Sequence, residues 1–274
     1  MKIKFLLLVL FLLFVLFFIS YNDREKNTNI DLSQLVLPPC NIEENILTTS
    51  VYFFIDKELI NIISEQFLYA QIEQSNFVLS NSCLNLRRRM VSYEYINLGL
   101  SGGEDFNEIY RKSIDSIGEI GLKIKENPLS FYVFIIPSEH RIFENWVEGI
   151  TYWKKDSSFI LLNETAQPYI LEHEFGHLMW ANHLETRFFS LLQGQLERDL
   201  EIKDRFLVKR YARAYTCSNA GTIMSYEKIK LPIYSSPDIH YRGESCGDLE
   251  KANNKRQVSE YIENFIRNNH KASQ

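Results

Sequence analysis

Apolar positions change their period several times along the chain, and each change marks an element. Residues 48–55 are rich in Val, Ile and Phe and predict a strand. A helix follows over about 56–75, opened by Asp56 or a neighbour, with Leu59, Ile62, Ile63, Phe67 and Ala70 spaced for one apolar face. Residues 90–98 alternate Val91, Tyr93 and Tyr95 with polar partners and predict a second strand; 99–103 is a loop. A second helix over 104–122 carries Ile109, Ile114, Ile117 and Ile120. The nearly continuous apolar run 131–136 stops at Pro137, which fits a buried central strand. Two short strands, 149–153 and 159–162, flank Lys154-Lys155-Asp156. A helix then opens at Pro168, whose ring fixes φ in a first turn. Residues 185–215 predict a long charged helix with Leu191, Leu196, Ile202 and Phe206 on its apolar side, and 248–268 a C-terminal helix after Gly247. The order predicts an α+β (mixed α/β) fold: a twisted mixed sheet of about five strands with helices packed on it.

The N-terminus reads differently. Lys2 and Lys4 precede an unbroken apolar run, 5–19, and then a polar stretch. This is the layout of an export signal. As a helix the run spans about 23 Å, short of the ~30 Å hydrocarbon core, so residues 1–20 are a cleaved signal peptide or an uncleaved anchor. Either way the rest of the chain is expected outside the cytoplasm: secreted, periplasmic, or tethered by that segment alone. Residues 21–44, with Pro38-Pro39 near their end, predict a linker or short pro-segment, and 45–274 one domain. The formal net charge of −5 argues against nucleic acid as a partner. Arg87-Arg88-Arg89 lies in a strand-like stretch and is expected to be solvated.

The helix after Pro168 holds the chemistry. It contains His173-Glu174-Phe175-Gly176-His177, or H-E-x-x-H. Residues four apart share a helix face, so both imidazoles can reach one ion while Glu174 is left free to take a proton from water. A third histidine, His183, follows six residues later. Three neutral nitrogens plus one open position is the arrangement a catalytic zinc ion needs.

With Ala220-Gly221-Thr222-Ile223-Met224-Ser225-Tyr226 added, the chain resembles the metzincin clan of zinc endopeptidases. His173, Glu174, His177 and His183 match the clan's extended zinc motif, and Met224 matches the Met-turn beneath the metal. Within the clan it is most similar to bacterial reprolysin-like and peptidyl-Asp-type endopeptidases, on Gly221 to Tyr226, Tyr234 to Gly243 and Ala252-Asn253-Asn254. The resemblance implies a zinc helix and Met-turn below a cleft, with one catalytic Zn2+. It also implies that the strand at Gly149, Ile150, Thr151 and Tyr152 receives an extended polypeptide, and that the Tyr226 phenol steadies developing negative charge. One position departs: Trp180 stands where the family has the glycine that ends the zinc helix. Either Trp180 takes the left-handed conformation, or the turn shifts to Asn182. Were the helix to run on, His183 would point about 80° away from His173, and Glu197 or Glu201 would be the alternative ligand.

The four cysteines, Cys40, Cys83, Cys217 and Cys246, allow three pairings in an exported chain. Cys40–Cys83 with Cys217–Cys246 is favoured, because the second bridge would staple the loop around Met224. Cys40 as a zinc-blocking thiolate is the other reading. The expected activity is zinc-dependent peptide-bond hydrolysis with Glu174 as general base. A metzincin-fold binding protein and a zinc amidase of cell-wall peptides are the alternatives.

Overall fold

The computed structural model describes residues 30–40, 46–151, 158–183 and 202–272. The apolar N-terminal run, Tyr152, Glu197 and Glu201 lie outside these residues. In chain order the elements are β1 (Leu35–Val36), β2 (Leu47–Asp56), α1 (Glu65–Asn81), β3 (Leu86–Ile96), α2 (Phe106–Glu126), β4 (Ser130–Ile136), β5 (Gly149–Thr151), β6 (Phe159–Asn163) and α3 (Ile170–Leu178). The later ones are β7 (Thr216–Cys217), β8 (Ala220–Gly221), β9 (Ser236–Tyr241), β10 (Glu244–Cys246) and α4 (Asn254–Ala272).

A five-stranded mixed sheet, order β3-β2-β4-β6-β5, is the centre of the fold. β2 runs parallel to both β3 and β4, and β4 parallel to β6; only the edge strand β5 is antiparallel. Alternate residues of a strand face opposite ways. Val51, Phe53 and Ile55 of β2, with Phe131, Val133 and Ile135 of β4, therefore join one core with α1, α3 and α4. Phe54, Tyr132, Phe134 and Ile136 join a second core under α2. Both faces are covered, which is why every residue of β4 is buried.

Several boundaries moved for identifiable reasons. Asp56 caps only a short 3-10 turn, Lys57–Leu59. The true cap of α1 is Ser64, whose hydroxyl accepts from Phe67 N–H at 3.3 Å. The helix accordingly runs on to Asn81 and buries Leu68, Ile72, Val78 and Leu79, leaving Ile62 exposed. α2 is broken at Gly118 (φ 47°, ψ −123°), and beyond the break Ile120 is exposed instead of joining the core. Pro168 precedes α3 in a turn closed by Ile170 N–H to Gln167 O.

The predicted helix over 185–215 is corrected where it can be seen. Residues 202–207 form a 3-10 helix with Ile202 and Phe206 exposed, and 211–215 are not helical. Their backbone groups are committed elsewhere: Ala214 N–H to Asn182 O, Asn253 N–H to Tyr211 O, and Thr222 N–H to Tyr215 O. At the C-terminus, Asp248 and Ala252 exchange backbone hydrogen bonds in a closed loop. α4 starts only after Asn253, whose side chain accepts from Arg256 N–H.

The remaining strands form a small β-rich region. β9 pairs with β10 and with β1, and β7 with β8 through a turn with Ser218 and Asn219 both left-handed. Disulfides join Cys217 to Cys246 and Cys40 to Cys83. The first closes β7 onto β10; the second fixes the segment bearing β1 to the end of α1, with Cys40 bridged and so not a free thiolate. Two disulfides suit an oxidising, extracellular compartment. Among the described residues no helix is long and apolar enough to cross a membrane.

Candidate metal centre and active-site cleft

α3 sets His173 and His177 one turn apart, and the chain then has to reverse to return His183. The reversal is a Schellman turn. Trp180 N–H donates to His177 O at 3.0 Å and Ala181 N–H to Gly176 O at 2.9 Å. Trp180 adopts φ 68°. The tryptophan itself therefore takes the left-handed conformation, at an intrinsic cost of about 1–2 kcal/mol, and the turn does not shift to Asn182.

As a result the three Nε2 atoms converge. His173 and His177 are 3.2 Å apart, His173 and His183 3.1 Å, and His177 and His183 3.0 Å. A tetrahedral ion with ~2.05 Å bonds sets its nitrogen ligands about 3.3 Å apart, so the triangle fits one ion. The opposite ring atoms settle the tautomers. His173 Nδ1 faces Ile223 O at 2.9 Å and His177 Nδ1 faces Ala181 O at 3.2 Å, so each Nδ1 carries the proton and each Nε2 offers a lone pair. His183 Nδ1 meets the Tyr226 hydroxyl.

Protons do not suit this site. Burial, with repulsion from neighbouring positive groups, pushes His173 down to about 4 and His177 down to about 3, and holds His183 far below the ordinary imidazole range. Three neutral imidazoles with Nε2 atoms directed at one another suit a cation that brings no proton. Among the described residues His173, His177 and His183 are the one group of side chains able to hold a metal ion.

Glu174 lines the same cleft of about 600 Å³. Burial pushes its carboxyl up to about 8, opposed by the Thr151 backbone amide. Gly149, Ile150 and Thr151 of β5 form the opposite wall, with Tyr169, Glu227 and Lys230 nearby. A Cβ on Gly149 would come 2.9 Å from Glu174 Cγ, so glycine is what lets the edge strand lie against the carboxylate. Lys230 closes the loop behind Tyr226 by donating to the carbonyls of Ser225 and Glu227.

Met224 is fully buried in the turn beneath α3, closed by Ser225 N–H to Thr222 O. Its sulfur reaches the helix because Gly176 has no side chain: a Cβ there would lie 2.5 Å from Met224 Sδ. Gly176 was not singled out in the sequence, although a glycine inside an apolar helix is a signal of close approach. Gly176→Ala is expected to cost about 1–3 kcal/mol through overpacking, read as a lower denaturant midpoint.

Two further groups were missed or misread. Arg88 is not solvated. Its guanidinium pairs with Glu172 (Nε–Oε2 and Nη2–Oε1, both 3.2 Å), bonds Thr49 Oγ1 and lies 3.9 Å from the Phe175 ring centroid. The period of the strand sends Arg88 inward while Arg87 and Arg89 point out. Asn254 and Gln257 of α4 also reach the α3 terminus, and nothing local to His183 announces them.

No protein-family model and no curated protein matches the chain. Among solved structures, it is similar to a chain of a chaperone–substrate complex, with 13% identity, a TM-score of 0.57, and 78% of this chain and 34% of that one covered. It is also similar to metalloproteinase-II from Bacteroides fragilis, with 13% identity, a TM-score of 0.45, and 82% of this chain and 56% of that one covered. The chain thus spans about a third of the first protein's length and just over half of the second's. The likeness to the first concerns the fold; the chemistry rests on the side chains.

Proposed function

We propose that the protein is an exported, zinc-dependent endopeptidase of metzincin type acting on polypeptide substrates. The observation that carries this reading is the convergence of three part-buried Nε2 atoms within 3.2 Å, in one cleft with Glu174. His173, His177 and His183 would hold the ion. The chemistry zinc supplies when held there is Lewis acidity, which polarises a peptide carbonyl and acidifies water. Glu174 accepts the proton of the attacking water and delivers it to the leaving nitrogen. β5 binds the substrate backbone in extended form at the sheet edge. The Tyr226 hydroxyl meets His183 Nδ1, and its exposed ring borders the cleft where negative charge would develop.

Purified protein loaded with zinc is expected to hold one ion per chain. A ligand present at a thousandfold its Kd stabilises by about 4 kcal/mol, so a chelator should lower Tm and abolish casein hydrolysis together. Absence of bound zinc overturns the reading. Zinc binding with turnover of peptidoglycan peptides and none of casein would make it an amidase, and zinc binding without turnover a binding protein.

A further inference from the structure

The third ligand depends on a turn whose sequence opposes it. Trp180 must be left-handed for His183 to come back to α3, and a side chain disfavours that conformation. The turn is held from outside. Asn182 N–H donates to Asn254 Oδ1 at 3.2 Å, and Asn254 Nδ2 donates to Asn182 O at 2.9 Å. The Asn254 side chain thus binds both backbone groups of the residue preceding His183. Asn254 is fully buried at the start of α4, and its own N–H donates to Ser235 Oγ at 2.9 Å. Ser235 in turn donates to Arg213 O, while Ala214 N–H donates to Asn182 O at 2.9 Å. Gln257 Nε2, one turn along α4, donates to Met179 O at 3.2 Å.

We propose that Asn254 is a positioning residue for the metal centre: its two-point clasp on Asn182 holds the turn that presents His183, offsetting the tryptophan at a position that favours glycine. This rests on the metal-site reading above. Asn254 touches neither ion nor substrate and acts through the backbone.

The test is zinc affinity, measured by chelator competition on the full chain, together with hydrogen exchange at the Asn182 amide. Asn254→Ala should weaken zinc about tenfold, the lower end of the range for supporting residues. In a Trp180→Gly background, where the turn needs less external support, the same change should have at most a twofold effect. In a His183→Ala background it should have none. A general packing role would weaken zinc equally in all three backgrounds, and that result overturns the proposal. In the wild type, the Asn182 amide should be protected before zinc is added; protection that arrives only with zinc also overturns it, and this measurement stands even if Asn254→Ala does not fold. Failure of the metal reading would look different: wild-type protein without zinc affinity, or affinity unchanged by His183→Ala. Zinc affinity lowered in His183→Ala but unchanged in Asn254→Ala removes the clasp alone.

Discussion

Glu174→Gln is expected to lower kcat by about 10²–10⁴, the contribution of a positioned general acid–base, while zinc content per chain stays at the wild-type level. The amide keeps the shape that fits against Gly149 and removes only the capacity to take a proton. Single-turnover cleavage of a fluorogenic peptide, with metal analysis on the same sample, checks both halves; turnover at the wild-type rate would exclude this residue as the base. A pH signature accompanies the change in metal-free protein. Burial pushes the folded Glu174 carboxyl up to about 8, from an ordinary 4.5. A folded pKa above the unfolded one means that its contribution to stability is fully present below 4.5 and is lost as pH rises toward about 8. Glutamine has no such dependence. Metal-free Glu174→Gln should therefore gain in Tm over metal-free wild type as pH rises through that window.

What the sequence made legible follows from the range over which each feature is determined. His173, Glu174 and His177 are set by helix periodicity alone, so their shared face could be read directly. The Val, Ile and Phe content of β2 and the continuous apolar run of the fully buried β4 were equally local. His183 could be named but not placed, because the answer depends on φ at Trp180. That angle is held by Asn254 and Gln257, more than 70 residues downstream. Arg88 failed for a related reason. A run of three arginines resembles a solvated patch until a partner for the middle one is known, and its partner Glu172 is 84 residues away on α3. Residues 211–215, at the end of a charged stretch that reads as helical by composition, give their backbone groups to tertiary hydrogen bonds instead. Propensity yields wherever distant groups compete for the same N–H and C=O.

Arg88→Met should be the most destabilising single change away from the metal ligands, by about 3–5 kcal/mol, because it leaves a buried carboxylate without its cation. Glu172 is fully buried beside His173. Burial pushes its carboxyl up, and Arg88 and the Tyr234 hydroxyl (2.9 Å from Oε1) pull against that rise. Without the guanidinium the folded pKa climbs further above the unfolded value. Stability of the variant is then greatest at acid pH and falls as pH rises from the ordinary glutamate range toward the raised folded value. Urea melts across pH 4 to 8 read this directly; a loss of the same size at every pH would mean that packing, not charge, is responsible. Pairing the change with Glu172→Leu should recover most of the loss, since a buried ion pair exchanged for apolar residues of similar volume is often neutral. Tyr234 would still donate to the backbone carbonyl at 172, 3.1 Å away. Zinc affinity should follow the same order, lowest in the single variant, because the unpaired carboxylate and the His173 imidazole of the proposed site are on consecutive residues of α3.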